Sequence, residues 1–143
     1  MIKSLDQNQS RELLRKERIG RLGCISEGEP YVVPVNYVFD GECAYLHSLP
    51  GQKIEAMRAE PRVCLQVDEI EDELNWKSVL AYGTYEEITN RRERAEALNH
   101  LLARFSRLTP VESFIAVDAG APAPVVFRIH VNRITGICEG GVR

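Results

Sequence analysis

The chain has 143 residues, 44% of them hydrophobic and 27% charged, with a formal net charge of −3. That suits a single globular domain, residues 1–143, large enough for its own core, and the acid excess argues against a general nucleic-acid binder. The lack of any apolar run of about 18 residues excludes a spanning helix, and without an apolar leader segment in the first twenty residues a cytoplasmic location is expected.

In chain order, residues 4 to 17 suggest an amphipathic helix with Leu13 and Leu14 on its apolar side and Gly20 as its C-terminal glycine. Arg21 to Ser26 reads as a strand with Leu22, Cys24 and Ser26 on one face. Glu27-Gly28-Glu29 is a polar turn into a longer strand, Pro30 to Phe39, which is apolar, β-branched and aromatic. Asp40-Gly41 is a hairpin turn signal, and Cys43 to His47 is the returning strand. Ser48 to Gly51 then leads into a short helix, Gln52 to Ala59, broken by Glu60-Pro61.

Arg62 to Val67 alternates strictly and is a strand. Asp68 to Asn75 is acidic and reads as a surface loop, which accounts for Glu69, Glu71, Asp72 and Glu73 without catalysis. Trp76 to Ile88 is a long strand, bent or bulged at Gly83. Thr89 caps a helix over Asn90 to Arg107, with Ala95, Leu98, Leu102 and Phe105 as its apolar stripe and His100 off it. Arg91, Arg92 and Arg94 alternate with acids as a solvated face. Thr109-Pro110 opens a second short helix carrying Phe114, Ile115 and Val117, Asp118 to Pro124 is a loop, and Val125 to Cys138 is the closing strand.

About six strands that do not alternate regularly with long helices argue against a doubly wound parallel sheet. An α+β fold, an antiparallel barrel with peripheral helices, fits better. Cys24, Cys43, Cys64 and Cys138 are widely spaced, as are His47, His100 and His130, so free thiols and no metal site are expected. Neither a glycine-rich phosphate loop nor a G-x-S-x-G elbow is present.

The chemistry concentrates between Pro30 and Lys53. Pro34 cannot donate to a ladder, so its strand has an edge, a bulge, or backbone given to something other than a neighbouring strand. Asn36, an amide in an apolar strand, calls for a partner. His47, Ser48, Gly51 and Lys53 gather at a helix N-terminus, whose free N–H groups and partial positive charge suit a phosphate. Turn formation by Ser48 and Gly51, with a solvated Lys53, accounts for the same residue types.

The ordered set Gly20-Arg21-Leu22-Gly23, Pro34 to Gly41 (PVNYVFDG), Tyr45-Leu46-His47-Ser48, Gly51-Gln52-Lys53, and Trp76-Lys77-Ser78-Val79 with Gly83 resembles the flavin-binding split-barrel family related to pyridoxamine 5′-phosphate oxidase. Within that family it is most similar to the branch that includes the nitroimidazole-resistance proteins. The resemblance implies a six-stranded antiparallel split β-barrel and a homodimer with FMN at its interface. It also implies FMN-dependent oxidoreductase chemistry on a small molecule, or else a flavin- or haem-binding module or redox sensor without turnover.

Carried to this sequence, the backbone of Val33, Pro34, Val35 and Asn36 would lie along the flavin ring. His47 and Ser48 would lie near the ribityl chain and phosphate, Gln52 and Lys53 would bind the phosphate, and Trp76 and Ser78 would approach from the later strand, across the dimer. His47 is the candidate catalytic group, as proton donor or substrate contact. The arginine-rich C-terminal segment of the pyridoxamine phosphate oxidases has no match in ITGICEGGVR, which counts against pyridoxamine oxidation.

Overall fold

The structure is a computed structural model, and residues 1–105 and 123–141 are described. In chain order the elements are β1 (Ile2–Ser4), α1 (Gln7–Lys16), β2 (Ile19–Ser26), β3 (Glu29–Asn36), β4 (Val38–Phe39), β5 (Cys43–Ser48), α2 (Gln52–Ala59), β6 (Arg62–Asp72), β7 (Asn75–Glu87), α3 (Arg91–Arg104) and β8 (Val125–Glu139). The expected helix from Thr109-Pro110, with Phe114, Ile115 and Val117, lies outside the described residues, as does most of the Asp118 to Pro124 loop.

All strand pairs are antiparallel, in the order β3-β2-β6-β7-β8-β5-β4, with β1 added beside β8. The two ends of this path, β3 and β4, are separated in the chain by Tyr37 alone. The sheet therefore curls on itself into the expected α+β barrel, with eight strands rather than six. One extra strand is the three-residue β1. The other arises because the run from Pro30 to Phe39 is broken: β3 pairs with β2, and β4 pairs with β5.

The core fills the barrel. Leu22, Leu46, Leu65, Val67, Val79 and Phe127 are fully buried, and α1 adds Leu13 and Leu14. α1 begins later than expected, because Asp6 and Gln9 form a reciprocal capping box at its start. It ends at Glu17, and Gly20 is a buried β2 residue rather than a helix stop. A Cβ there would lie 2.8 Å from Leu65 Cδ1. α2 matches its expected bounds and buries Ile54, Ala56 and Met57. α3 is capped by Asn90, whose side chain accepts from the Glu93 N–H, not by Thr89. It buries Ala97 and Leu101, and Ala97 packs with Ile88 and Val126 beside Tyr45 and the half-buried Leu98, while Ala95 and Leu102 face outward, so the apolar stripe is rotated from the expected one.

β6 continues through the acidic stretch to Asp72, because the β6–β7 hairpin projects beyond the core. There the turn needs only Asp72, whose carboxylate accepts the Leu74 N–H at 2.9 Å. The bend expected at Gly83 is a bulge: the register shifts between Tyr82 and Gly83, and Asn132 of β8 is left without a partner. A Cβ on Gly83 would lie 2.3 Å from the His130 carbonyl oxygen. We predict that Gly83→Ala lowers stability by ~1–3 kcal/mol through overpacking. An unchanged denaturant midpoint would show that the strand absorbs the methyl group.

Candidate functional site

The break at Tyr37 creates a slot. The Tyr37 N–H still follows the β2 side, donating to Arg18 O at 3.1 Å. One residue later the chain crosses to β5, in the register Val38↔Tyr45 and Phe39↔Ala44. Continued backwards, that register would set Asn36 opposite His47, but the ladder stops. β3 has β2 as its one partner, and β5 beyond Tyr45 pairs with β8. The edges of Val33–Asn36 and Leu46–Ser48 opposite the ladders to β2 and β8 thus flank this break. Pro34 marks this edge, as its missing N–H implied.

Asp40 holds the turn that sets this register. Its Oδ1 accepts the Glu42 and Cys43 N–H groups, each at 2.8 Å, and Gly41 takes a φ of 108°. The side chain of Arg11 donates to the Gly41 carbonyl, tying the turn to α1.

Beyond the slot, β5 runs through Ser48 to the start of α2. The Ser48 hydroxyl is buried and donates to Leu49 O at 2.8 Å, so its lone pairs remain as acceptors. Gly51 is the N-cap, and no side chain caps the first turn of α2. The opening N–H groups of this helix are therefore available to an anion. The Gln52 side chain donates to Ser26 Oγ at 3.1 Å. Lys53 is half-buried and lies near Cys24 of β2. Burial raises that thiol, and the Lys53 ammonium opposes the rise.

The expected residues fall into two groups. Val33, Pro34, Val35, Asn36, His47, Ser48, Gln52 and Lys53 meet at the slot and the α2 N-terminus. Their side chains divide: Val33 and Val35 face the barrel, whereas Pro34 and Asn36 are exposed on its outside. The desolvation argument for Asn36 therefore does not apply, since water reaches its amide. His47 is half-buried on the outer face of β5.

Trp76 and Ser78 stand apart. Two strands, β2 and β6, separate β7 from β3, about 14 Å along the sheet. Trp76 Nε1 donates to Glu139 at 3.2 Å beside a depression of about 390 Å³, and Ser78 accepts from Gln66. One chain does not bring these two residues to the slot.

Sequence reasoning missed a further feature. The outer face of the sheet that bears Pro34, Asn36, Ser78 and Trp76 carries exposed apolar side chains around an Arg21–Asp68 ion pair. Ile19, Ile25, Val32, Ile70 and Ile137 lie on it, each 41–66% exposed. The signal was present: RLGCIS and PYVVPV carry apolar residues on both faces, the pattern of a strand covered on both sides.

His100, expected to be solvated, is exposed and stacks on Tyr45 with ring centroids 6.4 Å apart. The four cysteines are free, three buried and Cys64 half-buried. No group of three metal-ligating side chains occurs among the described residues, and no described helix is long and apolar enough to cross a membrane.

A family model described as pyridoxamine 5′-phosphate oxidase matches residues 6–138. An uncharacterised protein of Rhizobium meliloti (strain 1021) is 35% identical, with 85% of this chain and 86% of that protein covered. Among solved structures, a FAD-binding protein from Mesorhizobium loti superposes with a TM-score of 0.79 at 33% identity, over 99% of this chain and 98% of its own. A candidate 5-nitroimidazole antibiotic resistance protein from Bacteroides thetaiotaomicron gives a TM-score of 0.75 at 22% identity, over 96% and 89%. At that identity the likeness is one of fold.

The turn at Asp40 generates a pH prediction. Burial alone would raise its carboxyl, but the Cys43 and Glu42 N–H groups outweigh this and hold it below the usual range. A depressed folded value stabilises above the unfolded value of about 3.9, and that contribution is lost as pH falls through the folded value. Asp40→Asn, which cannot titrate, should therefore lose less stability than the wild type as pH is lowered below about 4. Parallel acid limbs in urea unfolding would remove Asp40 from the account.

Proposed function

Because the chain belongs to the pyridoxamine 5′-phosphate oxidase family, we propose that it is a flavoprotein that binds FMN as one unit over residues 1–143 and acts as an FMN-dependent oxidoreductase on a small molecule. The observation that carries this reading is the break between β3 and β5, which leads to the N-terminus of α2, where no side chain caps the first turn, and to Lys53. Such a site fits a flavin mononucleotide at two points. Opposed backbone edges match the hydrogen-bonding edge of a flat heteroaromatic ring, and a helix N-terminus with an ammonium matches a phosphate. The name of the Mesorhizobium loti relative, a FAD-binding protein, supports the flavin class.

In this reading the backbone of Val33 to Asn36 lies along the ring. Ser48, Gln52 and Lys53 hold the phosphate end. His47, on the outer face of β5, contacts the substrate or donates a proton to it. Bound flavin supplies the hydride or electron transfer.

The partner is a second copy of this chain. An apolar sheet face this exposed stabilises a dimer once covered, and the same face carries Trp76 and Ser78. A facing copy would bring those two residues to the slot that one chain leaves without them. The free thiols fit a reducing, cytoplasmic location.

The test is an absorbance spectrum after gel filtration with added FMN. Flavin bands near ~375 and ~450 nm eluting at the dimer mass are expected. A colourless monomer would sink the proposal. Retained flavin without NADH- or NADPH-driven reduction of a nitroaromatic or quinone would leave a binding module instead of an enzyme. Lys53→Ala should weaken FMN binding about 10- to 150-fold, the loss of a charge-assisted hydrogen bond worth ~1.5–3 kcal/mol. Unchanged affinity would remove Lys53 from the site.

A further inference from the structure

A second cluster lies away from the slot and from the bare sheet face, where β5, β8 and β7 run side by side near α3. Cys43 opens β5 directly opposite His130 of β8. Its Sγ is 3.5 Å from His130 Nδ1. On the far side of the ring, His130 Nε2 is 2.9 Å from Glu86 Oε1, and Arg128 Nε donates to the same oxygen at 2.6 Å.

These bonds determine the tautomer. Hydrogen bonds from His130 and Arg128 hold the Glu86 carboxyl below its ordinary range, so it is ionised and can only accept. Nε2 therefore carries the ring hydrogen, and the Nδ1 lone pair faces the thiol. Nucleophile, base and orienting carboxylate stand in hydrogen-bonded order, an arrangement that activates a nucleophile by removing its proton. Cys43 keeps 9% of its surface exposed, and the ring and carboxylate are each about half exposed, at 47% and 50%.

We propose that Cys43, His130 and Glu86 form a peroxide-reactive thiol site, in which His130 takes the thiol proton as the sulfur attacks a hydroperoxide. The reaction balances with hydrogen peroxide as the named oxidant. Sγ forms a bond to one peroxide oxygen and the O–O bond breaks. The departing hydroxide takes the proton held on Nδ1 and leaves as water. Cysteine is oxidised to the sulfenic acid, and peroxide is reduced.

The charges around Cys43 explain why the imidazole is needed. Burial raises the thiol, and Asp40 adds to this, as do Glu42 and Glu86 more weakly; only Arg128 opposes them. From α3, Glu93 faces this group by bonding Arg128 at 3.4 Å, and His100 faces Asp40. The sulfur therefore rests as a thiol, and its reactivity depends on a base that acts during attack.

The test is site-resolved oxidation of the full chain. The protein is treated with hydrogen peroxide in the presence of a sulfenic-acid trap, and each cysteine is quantified by peptide mass spectrometry. Cys43 should react fastest, ahead of Cys64, which is half-buried within one chain. His130→Asn should slow Cys43 by about 100-fold, within the range a positioned base supplies, while labelling of Cys64 stays unchanged as an internal check on folding. Glu86→Gln, which keeps an acceptor for the Nε2–H, should slow it less. Faster labelling at Cys64, or a Cys43 rate indifferent to His130, would overturn the proposal.

Discussion

The change of hydrogen-bonding partner at Tyr37 is the constraint on which the rest of the architecture depends. One continuous extended segment serves two strands at opposite ends of the sheet, so the barrel closes through a covalent link rather than a ladder. The switch is anchored on both sides of one residue. The Tyr37 N–H belongs to the β2 side, and the buried phenol donates to Leu14 O at 2.5 Å, in the last turn of α1. Burial pushes that phenol up, so it remains protonated and able to donate. A closure made this way leaves a gap, because β3 and β5 cannot both keep Tyr37 and also pair with each other. The slot follows from how the barrel is tied.

The helix ends converge on the same corner. Arg104, in the last turn of α3, donates to Lys16 O and Glu17 O at 2.6 and 3.1 Å, satisfying carbonyls that α1 leaves open at its C-terminus. Arg11 of α1 stands over Phe39 of β4 and bonds the Gly41 carbonyl. α1 therefore joins the hairpin turn, the partner switch and α3. On the opposite wall, the bulge at Asn132 turns β8 so that its first half pairs with β5 and its second half with β1. Glycine at position 83 is what allows β7 to follow that turn.

What the sequence disclosed depends on how local the cause is. α2 was bounded correctly because Gly51 and Pro61 act on their own neighbours. β6 ran past its expected end because polarity was read as loop, whereas charged residues are compatible with a hairpin that leaves the core. Tyr37 was hidden inside an apolar run. Propensity reports that a residue is extended but not which strand it pairs with, so the break and the added strand count could not be seen. The slot residues were legible as an ordered set because most lie within twenty positions. Cys43 and His130 lie 87 residues apart, and nothing in either neighbourhood names the other.

The place of β8 in the sheet has a consequence for how the protein is made. This strand, residues 125–139, pairs with β1, β5 and β7, so it completes ladders begun as far back as residue 2. Until β8 docks, the β2–β3–β6–β7 half of the sheet keeps an unpaired edge on β7. Long-range pairings of this kind close slowly, and open edges invite association meanwhile. A chain cut before residue 125 therefore lacks the strand that joins β1, β5 and β7, and cannot complete the barrel.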